Sequence, residues 1–596
     1  MKSKTSSFNC GLFKSNLKRF WPIFAAYFVV LLLSLPMQIM TTWFDVAGAE
    51  TVYAVSDMLD YSGFINALLA VIVASGVFGF MYNQRSCGMI ASLPVKRGSV
   101  FATALVSGIV PVVAINLLIA LISAIPQIYE PSSFALRSLV IWFAVSSMQF
   151  VFFFGFAAIT AVITGSLVAL PVFYAIFNLL AVGIESAVRE IFGQLVFGFT
   201  NNTSDMVTET LSPVVKLTTG KGLEYSVIYH GETGAFSSMS FPDWKINIIY
   251  CAVGILLMAV ALLLYRRRKM ENCGDVVAIP ALRPIFKYGV AICFALCFEI
   301  MLSAIFNGNG YGSVDAVFCV LYMVIGAFIG FFGSEMLLKK SFKVFKGSLG
   351  SFIAVVLFCI LFVLGCVFDV FGVGDAPRRD DIESISICTV DGNYLRLEDA
   401  ESMDSVLELS RSIIENKSEH LNGIMGDVWY VDIDFHLKNG HTAYRNYPVA
   451  VNSDDFGKWL EILRSDEVKE YYTTPDVPIV PENLDYMFFY VYDYRNDETF
   501  NIEFTAEQAV DFFTNAYTAD VMADNIYGLW LDQGDADHWM NYGHIELQFV
   551  DREKGYYDGT DHLYFNCMIY PTCENSIQWV KDNLGIDLNE IYAAVK

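Results

Sequence analysis

The sequence predicts a polytopic α-helical membrane protein of about nine transmembrane helices with a C-terminal extracytoplasmic α+β domain of repeated β-β-α units. Three observations predict it. Nine apolar stretches fill residues 1–374, the Lys and Arg residues between them fall on alternate sides, and the remainder of the chain is strongly acidic. Residues 375–596 hold 44 acids and 15 bases, net −29, which leaves 18 acids and 23 bases, net +5, for residues 1–374 of a chain whose total is −24. With 55% hydrophobic side chains the chain is too apolar for one soluble domain. The acidic tail repels polyanions, which argues against a nucleic-acid partner.

The expected spans cover residues 20–41, 63–82, 100–124, 138–162, 166–184, 246–265, 288–306, 316–334 and 350–373. Each is close to the ~20 residues a helix needs to cross a ~30 Å hydrocarbon layer. Strands do not replace them, because lipid leaves backbone groups unpaired and these runs are continuously apolar rather than alternating. The run from Ser138 to Ile184 is too long for one crossing and divides at Thr164, Gly165 and Ser166, the polar, turn-compatible triplet near its middle.

Orientation follows from the short loops. The N-terminus (Lys2, Lys4, Lys14, Lys18, Arg19), the second loop (Arg85, Lys96, Arg97), the sixth (Arg266, Arg267, Arg268, Lys269, Arg283, Lys287) and the eighth (Lys339, Lys340, Lys343, Lys346) are basic. Loops on the opposite side hold only Arg137, Arg189, Lys216, Lys221 and Lys245. The expectation is therefore a multi-pass cell-membrane protein with a cytoplasmic N-terminus, an outer loop at 190–245 and an extracytoplasmic tail. The first apolar run is longer than the h-region of a cleaved signal peptide and no small-residue cleavage site follows, so it stays as a span. Ahead of it, Phe8, Leu12, Phe13, Leu17, Phe20 and Trp21 recur at near-helical spacing with Lys14 and Lys18 among them. That pattern predicts a short helix in the inner membrane interface within residues 1–19, in contact with lipid.

Nine of the twelve cysteines lie in or beside the membrane part, where a thiol is a small apolar group. The tail holds only Cys388, Cys567 and Cys573, too few and too irregular for a disulfide framework. In the tail, strand-like and helix-like segments alternate. Glu383–Val390 precedes a helix at 400–416; Val431–Leu437, an Asn439-Gly440 turn and His441–Val449 precede one at 453–465. Met487–Tyr494 and Thr499–Phe504 precede a helix at 506–522, and His544–Val550 with Leu563–Tyr570 precede one at 573–584. The signals are period-two alternation, the Asn-Gly hairpin turn, and Thr505 three residues before Gln508 as a capping box. They predict a β-β-α unit used three times after a partial first copy.

Catalytic and metal motifs are sparse. Asp532, Asp535, Asp537 and His538 form an acidic loop without the glycine and terminal glutamate of a calcium-binding EF-hand. No His pairs with another His or Cys at zinc-like spacing. Gly372-Val-Gly-Asp375 matches an intramembrane aspartyl protease motif but ends a span at its outer side, followed by Pro377. Gly-x-Ser-x-Gly, His-Glu-x-x-His and the phosphate-cradling Gly-x4-Gly-Lys-Ser/Thr are absent, so no cofactor is expected in this chain and no enzyme activity of its own. Within the apolar runs, Glu299 is a candidate for the transport path because a carboxylate at depth is costly unless it faces protein or water. Gln149 is a second candidate, with Ser146 and Ser147 beside it as interhelical contacts. Pro36, Pro111 and Pro171 are kink positions.

The most specific segment is the second loop, Tyr82-Asn-Gln-Arg85-Ser-Cys-Gly88-Met-Ile-Ala-Ser-Leu93-Pro94-Val-Lys96-Arg97-Gly-Ser-Val-Phe101. It places a short helix-compatible stretch between an Arg and a Leu-Pro break. This pattern, with Asn16-Leu-Lys-Arg-Phe-Trp-Pro22 ahead of the first span and Ser212-Pro213 before the sixth, resembles the permease subunits of type-two ABC exporters of Gram-positive bacteria. The resemblance covers roughly residues 8–270. It implies a six-span permease core at 20–270, a second permease copy or paralogue, and a cytoplasmic ATP-binding subunit that holds ATP and Mg. It also implies that Arg85, Gly88, Leu93, Pro94 and Arg97 couple to that subunit, although an acidic residue often stands near the position of Gly88 in the better-known exporters. Three further spans at 271–374 and the tail lie outside the resemblance. The function it implies is ATP-driven export of an amphipathic drug, peptide antibiotic or lipid. The alternative is a membrane sensor or assembly protein whose outer domain binds a ligand and signals inward.

Overall fold

The computed structural model describes residues 8–44, 46–92, 95–129, 131–202, 206–220, 222–230, 233–268, 273–307, 312, 315–389, 392–422, 428–475, 478–493, 498–526, 543–549 and 564–592. The chain divides into two compact units. The first comprises Met1–Arg189, Met206–Asn307 and Val317–Val363, and the second Glu190–Asp205, Gly308–Ala316 and Leu364–Lys596.

Among the described residues, twelve helices lie wholly or partly in the first unit. They are α1 (Cys10–Thr41), α2 (Ala49–Asp60), α3 (Ser62–Val77), α4 (Gln84–Ser92), α5 (Arg97–Ser123), α6 (Ser133–Ile163), α7 (Ala169–Leu195), α8 (Pro213–Thr218), α9 (Trp244–Arg267), α10 (Arg283–Phe306), α11 (Ala316–Lys339) and α12 (Phe345–Val367). Among the described residues eight helices are long and apolar enough to cross a membrane; α2 and α3, bent by 57° at Tyr61, make a ninth as a broken pair. The protein is membrane-embedded. The break at Thr164–Ser166 is where the sequence predicts it, between α6 and α7. A two-stranded hairpin, β1 (Glu224–His230) and β2 (Thr233–Ser240), precedes α9.

The N-terminal stretch differs from expectation. Among the described residues no separate interfacial helix forms; residues 10–19 are the first turns of the 32-residue α1, capped by Asn9, whose side chain accepts the Leu12 amide. The helix runs on through Pro22, at the head of the membrane run, and Pro36 within it, as membrane helices do where neighbouring groups re-satisfy the freed backbone. The Asn9 amide also donates to Thr103 Oγ1 and the Asn16 amide group to Ser107 Oγ, which ties this end to α5 rather than leaving it free in an interface.

α6 is the central helix, with Trp142, Phe150, Phe152, Phe153 and Phe154 all buried. Glycines set its neighbours' approach. A Cβ on Gly254 of α9 would lie 2.4 Å from Phe152 Cα, and one on Gly155 would lie 2.3 Å from the Gly254 oxygen. Small residues let membrane helices meet backbone to backbone, where dispersion rather than the hydrophobic effect holds them. Gly326 and Gly330 of α11 repeat the device against Phe294 and Val290 of α10.

The linkers sort to two ends. At one end Tyr82 donates to the Ala161 oxygen, Arg268 to the Ala161 and Val162 oxygens, the Gly274 amide to Gly165, the Ala278 amide to Ile163, and Lys340 to Asp275. Glu335 there accepts from Lys339 at 2.7 Å, Ser348 at 2.9 Å and Lys287 at 3.3 Å, joining α10, α11 and α12. At the other end Gln127 donates to Thr51, Ser56 to the Leu223 oxygen and Tyr250 to the Thr210 oxygen. The first set joins linkers after α3, α6, α9 and α11; the second joins those after α1, α5 and α7.

The second unit holds two four-stranded antiparallel sheets. One has the order β4 (Tyr394–Leu397), β3 (Ile382–Cys388), β5 (Val428–Leu437), β6 (Thr442–Ala450); the other, β8 (Glu498–Glu503), β7 (Leu484–Asp493), β9 (Gly543–Phe549), β10 (Tyr564–Ile569). The helices are α13 (Ala400–Glu415), α14 (Lys417–Asn422), α15 (Asp454–Leu463) and α16 (Asp466–Thr473) with the first sheet, and α17 (Ala506–Asp511), α18 (Thr518–Met522), α19 (Glu574–Leu584) and α20 (Leu588–Tyr592) with the second. The topology is the same in both halves: two hairpins, each followed by helix, meeting through their first strands. The sequence-predicted partial copy is complete, since β4 pairs with β3 from Leu397 opposite Ile385 to Tyr394 opposite Cys388. One core cluster spans both sheets, with Ile385, Ile433 and Phe435 from the first and Phe489, Ile545 and Leu547 from the second. The predicted helix at 506–522 contains a π-helical stretch, Phe512–Tyr517, that buries Phe512, Phe513 and Tyr517 together. Cys567 and Cys573 are buried free thiols.

Candidate functional site

α4 is the helix that the second-loop sequence predicts. Asn83 starts it, its Oδ1 accepting the Arg85 amide at 2.9 Å and its carbonyl the Cys87 amide. A 3-10 turn, Gly79–Met81, joins it to α3, and residues 93–96 join it to α5. Arg85, Gly88 and Met89 are exposed on it, and a side chain at Gly88 would meet nothing within 4 Å. Arg97, also exposed, opens α5. Leu93 and Pro94 lie outside the described residues, as do Asp532, Asp535, Asp537 and His538 of the acidic loop.

Inside the first unit, a continuous chain of neutral polar side chains crosses five helices. From α1 the Tyr27 hydroxyl donates to Asn116 Oδ1 of α5 at 2.8 Å, and Asn116 Nδ2 donates to Ser147 Oγ of α6 at 3.3 Å. From α3 the Asn66 Nδ2 donates to Ser146 Oγ and Gln149 Oε1 of α6, each at 3.2 Å. Gln149 Nε2 then donates to Asn247 Oδ1 of α9 at 3.2 Å. Tyr27, Asn66, Asn116, Ser146, Gln149 and Asn247 are all buried. Asn66 Oδ1 is buried without a hydrogen-bond partner among the described residues. An unused acceptor in an apolar bundle costs free energy.

Gln149 is thus a member of a layer. Glu299 is fully buried on α10, one turn from the buried Ser303, and belongs to none of the five helices that build the layer. Arg85, Gly88 and Arg97 flank one short connection. Tyr27, Asn66, Asn116 and Asn247 are additions that the sequence marks only as isolated polar residues in apolar runs.

The tail contains a set that resembles catalytic machinery. Lys458 Nζ donates to Ser412 Oγ at 2.7 Å and to Asp455 Oδ1 at 3.0 Å, and His420 Nε2 lies 3.1 Å from Asp455 Oδ2. His420 Nδ1 accepts the Ala450 amide, so its proton sits on Nε2 and points at Asp455. Burial pushes the Asp455 carboxyl up, but donors from Ser412, Asn416, Lys458 and His420 outweigh it and hold it at about 2. The Ser412 hydroxyl itself donates to Asp455, so the set is an array closed around that carboxylate. The set joins α13, α14 and α15. Asp520 does the corresponding work in the second half, accepting the Asn575 and Ser576 amides at the start of α19 at 3.2 and 2.7 Å. Asp375 of the Gly-x-Gly-Asp sequence offers its carbonyl to Arg445. Among the described residues no group of three or more His, Cys, Asp or Glu is placed to hold a metal.

Compared with protein-family models, curated proteins and solved structures, the chain matches none.

Proposed function

We propose that this chain is the permease subunit of an ATP-driven exporter, with α4 as the helix on which a cytoplasmic ATP-binding subunit presses. The observation that carries the reading is the placement of α4 between α3 and α5. Each of those helices supplies one asparagine to the polar layer, and the two converge on adjacent serines of α6, Asn66 on Ser146 and Asn116 on Ser147. A push on α4 therefore reaches both halves of the layer through two covalent connections. Re-packing of α1, α3, α5, α6 and α9 around the layer opens it to one side and then the other.

Sidedness is supported by the way the linkers sort. Those richest in Lys and Arg, with α4 among them, share one end of the first unit, as the positive-inside rule requires of cytoplasmic loops. The segments 190–205, 308–316 and 364–596 belong to one compact unit, which an odd number of crossings between them and the N-terminus permits. The transported molecule is amphipathic in this reading, since the layer presents neutral donors and acceptors within an otherwise apolar bundle. A second permease copy completes the assembly.

The test is purification of the intact protein in detergent from its own host. An ATP-binding subunit accompanies the wild-type chain, and Arg85→Glu with Arg97→Glu weakens that association at least about tenfold, or roughly 1.4 kcal/mol. Absence of any ATPase from the wild-type preparation, together with unchanged tolerance of toxic amphiphiles in the double variant, defeats the proposal.

A further inference from the structure

The sheet of β4, β3, β5 and β6 ends at β6, whose outer edge is covered by chain from far away in sequence. The Asn446 amide of β6 donates to the Gly198 oxygen at 3.1 Å, and Phe199 pairs antiparallel with Arg445. These residues follow directly on α7. Phe197 is buried in the tail's core with its ring 6.1 Å from that of Tyr447, and Lys417 lies 5.3 Å over its other side. Gly198 has φ +77°, and a Cβ there would stand 2.1 Å from the Tyr447 ring, so the turn into β6 admits only glycine. The same two β6 side chains hold the chain that follows α12. Arg445, buried, donates through Nε and Nη2 to the Asp375 oxygen at 3.3 and 2.9 Å, and the Tyr447 hydroxyl donates to the Gly374 oxygen at 3.2 Å. The Gly312 amide, between α10 and α11, donates to Gln194 at the end of α7.

An edge strand is a template for pairing and is ordinarily blunted by charge or proline. Here the covering segment contributes a buried aromatic anchor and a ladder bond, which is the pattern of strand addition with a side-chain pocket. We propose that β6 is a docking strand for residues 196–199, a brace through which the tail domain holds the C-terminal end of α7. The end of that helix is then bound to the same strand as the segment after α12, and α7 cannot turn or retract without peeling Phe197 and Gly198 from β6.

Hydrogen exchange on the full-length protein in lipid nanodiscs tests this, and it needs neither ATPase nor substrate, so the exporter reading stands or falls separately. In the wild type, peptides covering 443–449 exchange slowly. Gly198→Val speeds exchange at 443–449 and at 190–195 at least about tenfold while 382–388 and 428–437 keep wild-type rates. Phe197→Ala, which adds no clash, gives the same pattern, and Gly193→Ala, at a glycine with nothing within 4 Å of its Cβ position, gives none. The proposal is overturned if wild-type 443–449 exchanges as fast as 394–397, or if Phe197→Ala leaves 443–449 and 190–195 unchanged. Should Gly198→Val unfold the domain, the wild-type and Phe197→Ala measurements still decide.

Discussion

The polar layer of α1, α3, α5, α6 and α9 and the tail domain both bury polar side chains, but with opposite chemistry; the buried Glu299 and Glu335 lie outside that layer, on α10 and α11. The bundle's layer is made of neutral amides and hydroxyls that each meet one or two partners, from Tyr27 to Asn247. The tail buries full carboxylates: Asp455 meets Ser412, Asn416, Lys458 and His420, and Asp520 meets Asn525, Asn575 and Ser576. A charge buried in a water-soluble fold is tolerated when donors saturate it, and breaking such an array leaves the ion uncompensated. Between membrane helices a neutral amide exchanges partners at small cost, because the separated helices also find partners in the membrane. The carboxylate arrays of the tail are therefore fixed joints, and the neutral groups of the layer are suited to rearrangement.

The largest effect expected lies in the bundle's packing rather than in its polar groups. Gly254→Leu forces a side chain against the Phe152 backbone, where a Cβ alone would be at 2.4 Å, and costs about 3 kcal/mol or more. Gel filtration in mild detergent checks it by loss of the monodisperse peak. In the tail, Asp520→Ala strips the Asn575 and Ser576 amides of their acceptor and lowers domain stability by about 3 kcal/mol, read as a fall in the tail's thermal transition. The bundle's counterpart, Asn66→Ala, costs only about 1 kcal/mol in denaturant titration. Equal losses for Asp520→Ala and Asn66→Ala erase the contrast between joint and layer.

The smallest effect is a pH slope in the tail. Burial, with Asp432 beside it, raises the Asp434 carboxyl to about 6, above the ~3.9 of an unfolded chain. Between those values the folded state binds more protons, so Asp434 makes stability fall as pH rises from about 4 to 6. Asp432, raised in the same direction by burial, adds to that slope. Asp455 works the other way: its contribution is present above pH 4 and is lost as pH falls through about 2. Asp434→Asn flattens the slope between pH 4 and 6 in tryptophan-monitored melting; an unchanged slope excludes Asp434 as its source.

Which of these features can be seen in the sequence depends on how local their cause is. Nine apolar runs are visible because each cause is local: eight fold as single helices long enough to cross and the run at 63–82 begins as α3, the second half of a bent pair, while Thr164–Ser166 is visible as a break because three small polar residues interrupt a long run. The extension of α7 to Leu195 is hidden, since Glu185, Arg189 and Glu190 end the apolar run while Glu185 and Arg189 pair across one helical turn at 2.8 Å. β4 has four residues, too few for alternation to register beside the helix that follows. α4 is legible from the helix-compatible stretch between Arg85 and the Leu93-Pro94 break, whereas its start at Asn83 is not. The layer is not, because a lone Asn66, Asn116 or Asn247 acquires its partners only when five helices pack, and nothing local tells which face each one takes. The repetition of β-β-α units is visible, but the pairing of Ile385 with Phe435 and of Phe489 with Ile545, which divides four units into two sheets, is tertiary.

The central claim is that α4 transmits force to the polar layer through α3 and α5. Its most direct test is hydrogen exchange on this chain in nanodiscs, with the ATP-binding subunit that the proposal expects to co-purify, in the presence and absence of ATP and vanadate. The structure predicts that trapping the nucleotide slows exchange in α4 and alters it around Asn66 and Asn116 together. An ATPase that binds the chain while α4 exchanges at the same rate, or a change confined to one of the two asparagines, contradicts the claim.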